Sequence, residues 1–193
     1  MSKSKMTVLD LCLCAMMIAL HIVLEVFGTI RIGNDLKITF STLPFVLIGM
    51  LCGPVEGMVT GLVGTFLSQL ITYGITITTP FWIIPGMLQG LAAGLVYKAF
   101  RRRNKVGFVI TTVTIACFVL VIFNLIASYF DGVVIWKYWT MEVLIALIPM
   151  RLLVWIIVSA VYSAVAIPLC KTLQKKLPAA YRQAAAHNSR EQG

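Results

Sequence analysis

The sequence predicts an all-α membrane protein in which six transmembrane helices enclose a ligand pocket open to the extracellular side. Of its 193 residues, 60% are hydrophobic and only 12% are charged, whereas soluble domains carry roughly 25% charged residues. Long apolar runs recur along the chain, and a few polar side chains interrupt them at helical spacing. We therefore expect one membrane domain over 1–177 and a polar cytoplasmic tail over 178–193.

Six apolar runs mark the expected helices. They cover 9–27, 42–52, 55–72, 81–100, 108–130 and 141–169. Most of them reach the roughly 20 residues that a bilayer requires, but the second is short and is expected to be tilted, broken or only partly spanning. The first run is expected to be retained rather than cleaved as a signal peptide, because Asp10 interrupts its start and no small-residue cleavage site follows.

Basic residues indicate the orientation. Of the 16 Lys and Arg, two precede the first run, five lie at or after the end of the fourth, and five follow the sixth. The positive-inside rule predicts a multi-pass protein of the cell membrane with both termini and the 101–105 loop in the cytoplasm. This placement explains the basic runs without nucleic-acid binding, and the five scattered cysteines have neither metal-ligand nor disulfide spacing.

The first helix carries two ionisable residues on one face. His21 and Glu25 lie four residues apart near its extracellular end. Ionisable groups within a membrane span are functional candidates by default, so both are candidate pocket residues, with a structural hydrogen bond as the alternative. The next loop alternates apolar and polar residues around a turn at 33–35, which predicts a hairpin that serves as a lid or as a plain connection.

Glycines at four-residue spacing mark the third and fourth helices. Each helix has three on one face: Gly53, Gly57 and Gly61 in the third, and Gly86, Gly90 and Gly94 in the fourth. Such faces let helix backbones approach closely. Trp82 and Gln89 lie on one stripe of the fourth helix, and the irregular Thr-rich segment before it is stable in lipid only where it lines a cavity. We predict that 73–97 forms the lip and wall of a small-molecule pocket, with a surface loop and an ordinary packing helix as the alternative.

Two polar residues interrupt the last two helices. Asn124 is the sole strongly polar group of the fifth helix, and its amide needs partners in hydrocarbon. Arg151 lies about 15 Å below the start of the sixth helix, where a guanidinium costs at least ~2.5–3.5 kcal/mol. It requires an anion, which is Glu25, Glu142 or the carboxylate of a ligand, and we favour the ligand. The aromatic residues of 131–140 are assigned mainly to the interfacial belt.

Common enzyme motifs are missing from the sequence. It contains no Walker-type phosphate loop, no HExxH and no GxSxG. We expect a protein without enzymatic activity, cofactor or metal. An intramembrane enzyme without a recognisable motif and a membrane scaffold protein are the alternatives.

Over roughly residues 5–177, the chain resembles the substrate-binding S-components of energy-coupling factor vitamin transporters. The resemblance rests on the six-span layout, on the AxxxA pattern of Ala15 and Ala19, on the long first outer loop and on YGITITTPFWIIP before the fourth helix. The stretches YGITITTPFWIIPGMLQGL and IPMRL are most similar to the folate-specific branch.

The resemblance implies a subunit that binds a vitamin outside the cell with high affinity and releases it inside by toppling. Its partners would be a transmembrane coupling subunit, which Ala15 and Ala19 would contact, and two cytoplasmic ATPase subunits. Folate is favoured, with pantothenate, riboflavin, thiamine, biotin or a queuosine-type precursor as alternatives.

Seven residues are expected to line the vitamin pocket: Arg151, Trp82, Gln89, Asn124, Tyr73, Glu25 and His21. The two aromatic rings, indole and phenol, would stack on the rings of folate. The amides and the glutamate would pair with the edges of its pterin. The arginine would hold a carboxylate.

Overall fold

The computed structural model of the chain describes residues 8–32, 36–100 and 106–176. Within these ranges it contains six α-helices and one β-hairpin. The elements are α1 (Val8–Phe27), β1 (Thr29–Ile32), β2 (Leu36–Thr39), α2 (Leu43–Leu51), α3 (Pro54–Tyr73), α4 (Thr79–Phe100), α5 (Val106–Ser128) and α6 (Met141–Lys176), with a π-helical turn at Tyr129–Ile135. Five of the described helices, all except α2, are long and apolar enough to cross a membrane.

The predicted fold class is confirmed, since six helices account for nearly all of the regular structure that is described. The predicted hairpin is also present. Its strands are antiparallel, with Thr29 opposite Thr39 and Ile32 opposite Leu36. The predicted turn at 33–35, the basic loop at 101–105 and the tail over 178–193 lie outside the described residues.

The second predicted span is a short helix enclosed by the others. α2 has nine residues and is therefore about 14 Å long, less than half of the ~30 Å thickness of the hydrocarbon layer. Seven of its nine residues are buried, and Phe45, Val46 and Ile48 are at 0% exposure. Gly53, with a φ of 141°, ends the tight connection to α3. The run at 42–52 thus forms a partly spanning helix, as its length predicts.

Glycine faces bring α2, α3 and α4 into backbone contact. A Cβ atom on Gly57 would lie 2.6 Å from the carbonyl oxygen of Gly90 and 2.8 Å from the Cα of Gly49. A Cβ on Gly61 would meet the carbonyl of Gly86 in the same way. No side chain fits at these positions, so the prediction that the small-residue faces of the third and fourth helices pack closely is confirmed.

An apolar core lies between α2, α4, α5 and α6. It contains Val46 and Leu47 of α2, Ala93 of α4, Val113 of α5 and the fully buried Tyr162 of α6, among others. Two further members of this core also line a cavity: Cys117 and Val158. The core therefore forms the floor of that cavity.

Candidate functional site

A cavity of about 610 Å³ opens between the helices at the end of the bundle that carries the hairpin. This volume lies within the ~300–1,000 Å³ range of sites that bind small molecules. Side chains of α1, α3, α4, α5 and α6, and of the connections between them, contribute to its wall. The helices thus converge on a single chamber of ligand size.

Six of the seven predicted pocket residues line this cavity: His21, Glu25, Tyr73, Trp82, Asn124 and Arg151. They come from five different helices and lie up to 130 positions apart in the sequence. The Thr-rich segment before α4 joins them through Thr76 and Thr78. Its irregular backbone is held by its own threonines, since the Thr76 amide donates to Thr79 Oγ1 at 2.9 Å. The structure therefore brings the predicted lip and wall together.

Gln89 is the exception among the seven. It lies one helical turn below Pro85 and Gly86, which line the cavity, but its own side chain does not. It is fully buried at 0% exposure, and its amide has no strong hydrogen-bond partner among the described residues, only a weak interaction with the thiol of Cys117. The predicted face of the fourth helix is thus divided. The indole of Trp82 lies in the cavity wall, whereas the amide of Gln89 does not line the cavity.

Arg151 contributes a positive charge to the cavity wall. Its Nη2 donates a hydrogen bond to Ser128 Oγ at 2.9 Å, and Ser128 itself is fully buried. This contact joins α6 to the end of α5. A guanidinium carries five N–H donors in a planar fork, which matches the two oxygens of a carboxylate. The arrangement is suited to bind an anionic group of a ligand.

Glu25 and His21 contact the segment that leaves the hairpin. Glu25 Oε2 accepts hydrogen bonds from Ser41 Oγ at 2.5 Å and from Thr39 Oγ1 at 3.1 Å. His21 Nδ1 lies 2.7 Å from the carbonyl oxygen of Ser41. Because a carbonyl only accepts, Nδ1 is the donor and carries the proton. Both residues thus combine a position in the cavity wall with hydrogen bonds to the protein.

The connection between α5 and α6 contributes residues that the sequence analysis did not assign to the pocket. Asp131, Tyr138 and Trp139 line the cavity, and Tyr138 Oη donates to Asp131 Oδ2 at 3.2 Å. The ring of Trp139 packs on Gly132, where a Cβ would lie 2.6 Å from its Cε3. Trp136 does not line the cavity and is 57% exposed, as an interfacial residue would be. The signal that marks these residues is the π-helical turn at this point, which is visible only in the structure. Such turns are frequent at functional sites.

Hydroxyl groups are a second missed feature of the wall. Eight serines and threonines line the cavity: Thr39, Ser41, Thr42, Thr65, Ser68, Thr76, Thr78 and Ser128. Thr76 and Thr78 belong to the Thr-rich segment that the sequence predicts to line the pocket. The other six are single hydroxyls, and nothing in the sequence distinguished them from hydroxyls with a purely structural role. The wall therefore combines aromatic rings, charged groups and many neutral donors and acceptors.

Ala15 and Ala19 lie away from the cavity. Both are exposed on the surface of α1. The buried residues of this helix are Cys14, Met17 and His21. α1 therefore contacts the bundle with one face and leaves the alanine face open.

A bundle of membrane-spanning helices around a ligand-sized cavity, lined by aromatic and polar side chains, defines a multi-pass membrane protein with a candidate small-molecule site. Residues 9–168 match the family described as the substrate-specific component of ECF transporters, and the chain belongs to this family. It is therefore a component of a transport system, and the family expected from the sequence is confirmed.

Solved structures and one curated protein are similar to the chain. One structure, described as the S component of a bacterial ECF transporter, has a TM-score of 0.60 and 24% identity, over 85% of this chain and 96% of that chain. FolT bound with folic acid has a TM-score of 0.60 and 21% identity, over 90% and 96%. These likenesses show a shared fold. An uncharacterized protein of Mycoplasma pneumoniae, an MG313 homolog, is 31% identical over 126 residues, which cover 61% of this chain and 42% of that protein. The chain thus matches less than half the length of this relative.

Proposed function

We propose that the chain is the folate-binding subunit of an ATP-driven uptake transporter and that the cavity holds the vitamin. The observation that carries the proposal is the presence of the Arg151 guanidinium and several aromatic rings in the wall of one chamber. Folate combines a flat pterin, an aromatic spacer and a glutamate tail. A site for it needs surfaces for stacking and a cation for the tail, and this wall offers both.

The wall also offers partners for the pterin. Tyr73, Trp82 and Trp139 present aromatic surfaces for the rings, and Asn124 presents an amide for the donor and acceptor groups of the pterin edge. Asp131 adds a carboxylate that accepts hydrogen bonds from an amino group. Similarity in fold to FolT, which was solved with folic acid, supports the same ligand here.

Charge placement supports the proposed orientation in the membrane. Because lysines and arginines concentrate at the termini and at 101–105, we place these segments in the cytoplasm and the cavity mouth outside. The exposed face of α1 with Ala15 and Ala19 would dock on a transmembrane coupling subunit. Two cytoplasmic ATPases would supply the energy for release inside, since the chain has no nucleotide-binding motif of its own.

Equilibrium binding of folic acid to the purified full-length protein tests the proposal. We expect Arg151→Ala to weaken binding about 10–100-fold, because a hydrogen bond to a charged group contributes about 1.5–3 kcal/mol. The amide of pteroic acid, which lacks the glutamate tail and carries no carboxylate, is the matched ligand. Its affinity should be the same for wild type and variant.

Lys137→Ala is the control variant, because Lys137 is an exposed cation that does not line the cavity. It should leave folic acid binding unchanged. Equal losses for folic acid and the amide of pteroic acid would contradict the carboxylate role of Arg151.

A thermal-shift panel of vitamins tests the identity of the ligand. Pantothenate also offers a carboxylate to Arg151, but it has no ring for the aromatic residues of the wall. Stabilisation by pantothenate, riboflavin, thiamine or biotin in place of folic acid would replace the folate assignment and keep the transport role.

A further inference from the structure

We propose that Glu25 is a positioning residue, which fastens the exit of the hairpin to α1 and does not contact the ligand. This inference rests on the proposed function, because it concerns the wall of the same cavity. The sequence alone left Glu25 open between a pocket role and a structural hydrogen bond. The contacts around it favour the structural role with a consequence for binding.

The first observation is that one carboxylate oxygen serves two hydroxyls of the same short segment. Glu25 Oε2 accepts from Ser41 Oγ at 2.5 Å, and it shares the single hydroxyl proton of Thr39 Oγ1, at 3.1 Å, with Ser41 Oγ at 2.9 Å. Thr39 Oγ1 in turn accepts the backbone N–H of Ser41 at 3.2 Å. The segment is thus held to α1 by a charged group, and hydrogen bonds to a charged acceptor are the strong ones.

The second observation is that α1 holds the same serine through a second side chain. His21 Nδ1 donates to the carbonyl oxygen of Ser41 at 2.7 Å, and its ring lies 4.4 Å from that of Phe45 in α2. Side chain and backbone of Ser41 are therefore both bonded to α1. We call Glu25 and His21 with their partners Thr39 and Ser41 the α1 clamp.

The third observation is a contact from the opposite side. Tyr162 of α6 lies with its hydroxyl 3.0 Å from Thr42 Oγ1, and donates to the carbonyl oxygen of Thr39 at 3.4 Å. The end of β2 and the start of α2 are therefore held between α1 and α6. Thr39, Ser41 and Thr42 also line the cavity. Loss of the α1 clamp would free one side of this wall while Tyr162 still holds the other.

A positioning role predicts a change in the hairpin that needs no ligand. Hydrogen exchange of the backbone amides at 36–42 is measured in the ligand-free, full-length protein in lipid nanodiscs. We expect Glu25→Ala to accelerate this exchange by at least about tenfold, because local opening is governed by the contacts that close the segment. Glu25→Gln should be intermediate, since its amide oxygen still accepts a hydrogen bond.

Asp131→Asn is the matched control, because Asp131 is another cavity carboxylate and accepts its hydrogen bond from Tyr138 rather than from the hairpin. It should leave exchange at 36–42 unchanged. Ser41→Ala removes the same hydrogen bond from the other partner, and provides a second variant if Glu25→Ala does not fold. In the double variant Glu25→Ala/Ser41→Ala, the accelerations should be clearly less than additive in free energy.

Ligand kinetics separate positioning from contact. With folic acid, Glu25→Ala should raise the dissociation rate by about tenfold in parallel with the exchange rate. Unchanged exchange at 36–42 with weakened folic acid binding would overturn the proposal and make Glu25 a ligand contact. If the wild type does not bind folic acid at all, the proposed ligand fails. The exchange experiment then still decides the role of Glu25, because it contains no ligand.

Discussion

The two halves of α4 have opposite surroundings. Its first half lines the cavity through Trp82 and Pro85, so it borders open space. Gly86 both lines the cavity and contacts the backbone of Gly61 in α3. Its second half lies against α3 with backbone on backbone, at Gly90 and Gly94. The difference shows that one helix can be both the wall of a chamber and part of the most tightly packed interface of the fold. The close contact below holds the wall above in place.

This division follows from what each half buries. Glycine faces let backbones approach, and dispersion contacts then hold helices together where lipid offers no hydrophobic driving force. Nearer the cavity, Thr65 and Ser68 of α3 and Trp82 of α4 line the chamber. The packed half is therefore expected to govern folding, and the open half to govern binding.

The largest effect on stability is expected from Gly90→Ala, which places a methyl group in the packed half of α4. The new methyl group would collide with the backbone of Gly57, and backbone cannot move aside as a side chain can. We expect a loss of at least about 3 kcal/mol in unfolding free energy, the upper end of overpacking costs. Thermal and denaturant unfolding of the purified protein measure it.

Gly107→Ala is the matched control for this prediction. Gly107 also lies in a helix, but a Cβ there would meet nothing within 4 Å. The substitution should be neutral or stabilising by up to ~1 kcal/mol, because alanine loses less backbone entropy than glycine. Equal changes in unfolding free energy at both glycines would show that helix propensity, and not close packing, determines the effect of the substitution.

A smaller effect is expected from Trp82→Ala, which removes an indole from the open half of α4. Folic acid should bind about 10–100-fold more weakly, since a buried aromatic contact contributes about 1.5–3 kcal/mol. Unfolding should change little, because Trp82 borders the cavity and not the packed interface. Trp136→Ala, at a residue that is 57% exposed, is the control and should preserve affinity. Unaltered binding in Trp82→Ala would remove this indole from the site.

The smallest effect is expected at the boundary between the two halves, in Gln89→Leu. Among the described residues the buried amide meets only the weakly interacting thiol of Cys117, so leucine should stabilise the ligand-free protein by about 1 kcal/mol. Folic acid affinity should stay within about threefold, because Gln89 lies below the cavity floor. Destabilisation, or a larger loss of affinity, would indicate a buried water or ligand that the amide serves.

Much of the fold could be predicted because its signals are local or periodic. Apolar runs predicted the helices, the four-residue spacing of Gly57 and Gly61 predicted the face toward α4, and the length of 42–52 predicted a helix that spans only in part. The candidate site was harder to predict from the sequence. Tyr138 and Trp139 carry the composition of an interfacial belt, and only the packing of Trp139 on Gly132 turns them into the cavity.

The amino-acid sequence is sufficient to place the protein in a membrane and to predict the number of helices, their glycine faces and the family. Each of these depends on composition or on spacing along one helix. Which polar groups share a chamber depends on the rotation of every helix about its axis. One residue corresponds to about 100° of rotation, so neighbours such as Asn124 and Leu125 face different surroundings. That choice is made by contacts between helices, which is why Glu25 meets Ser41 and why Gln89 lies outside the cavity wall.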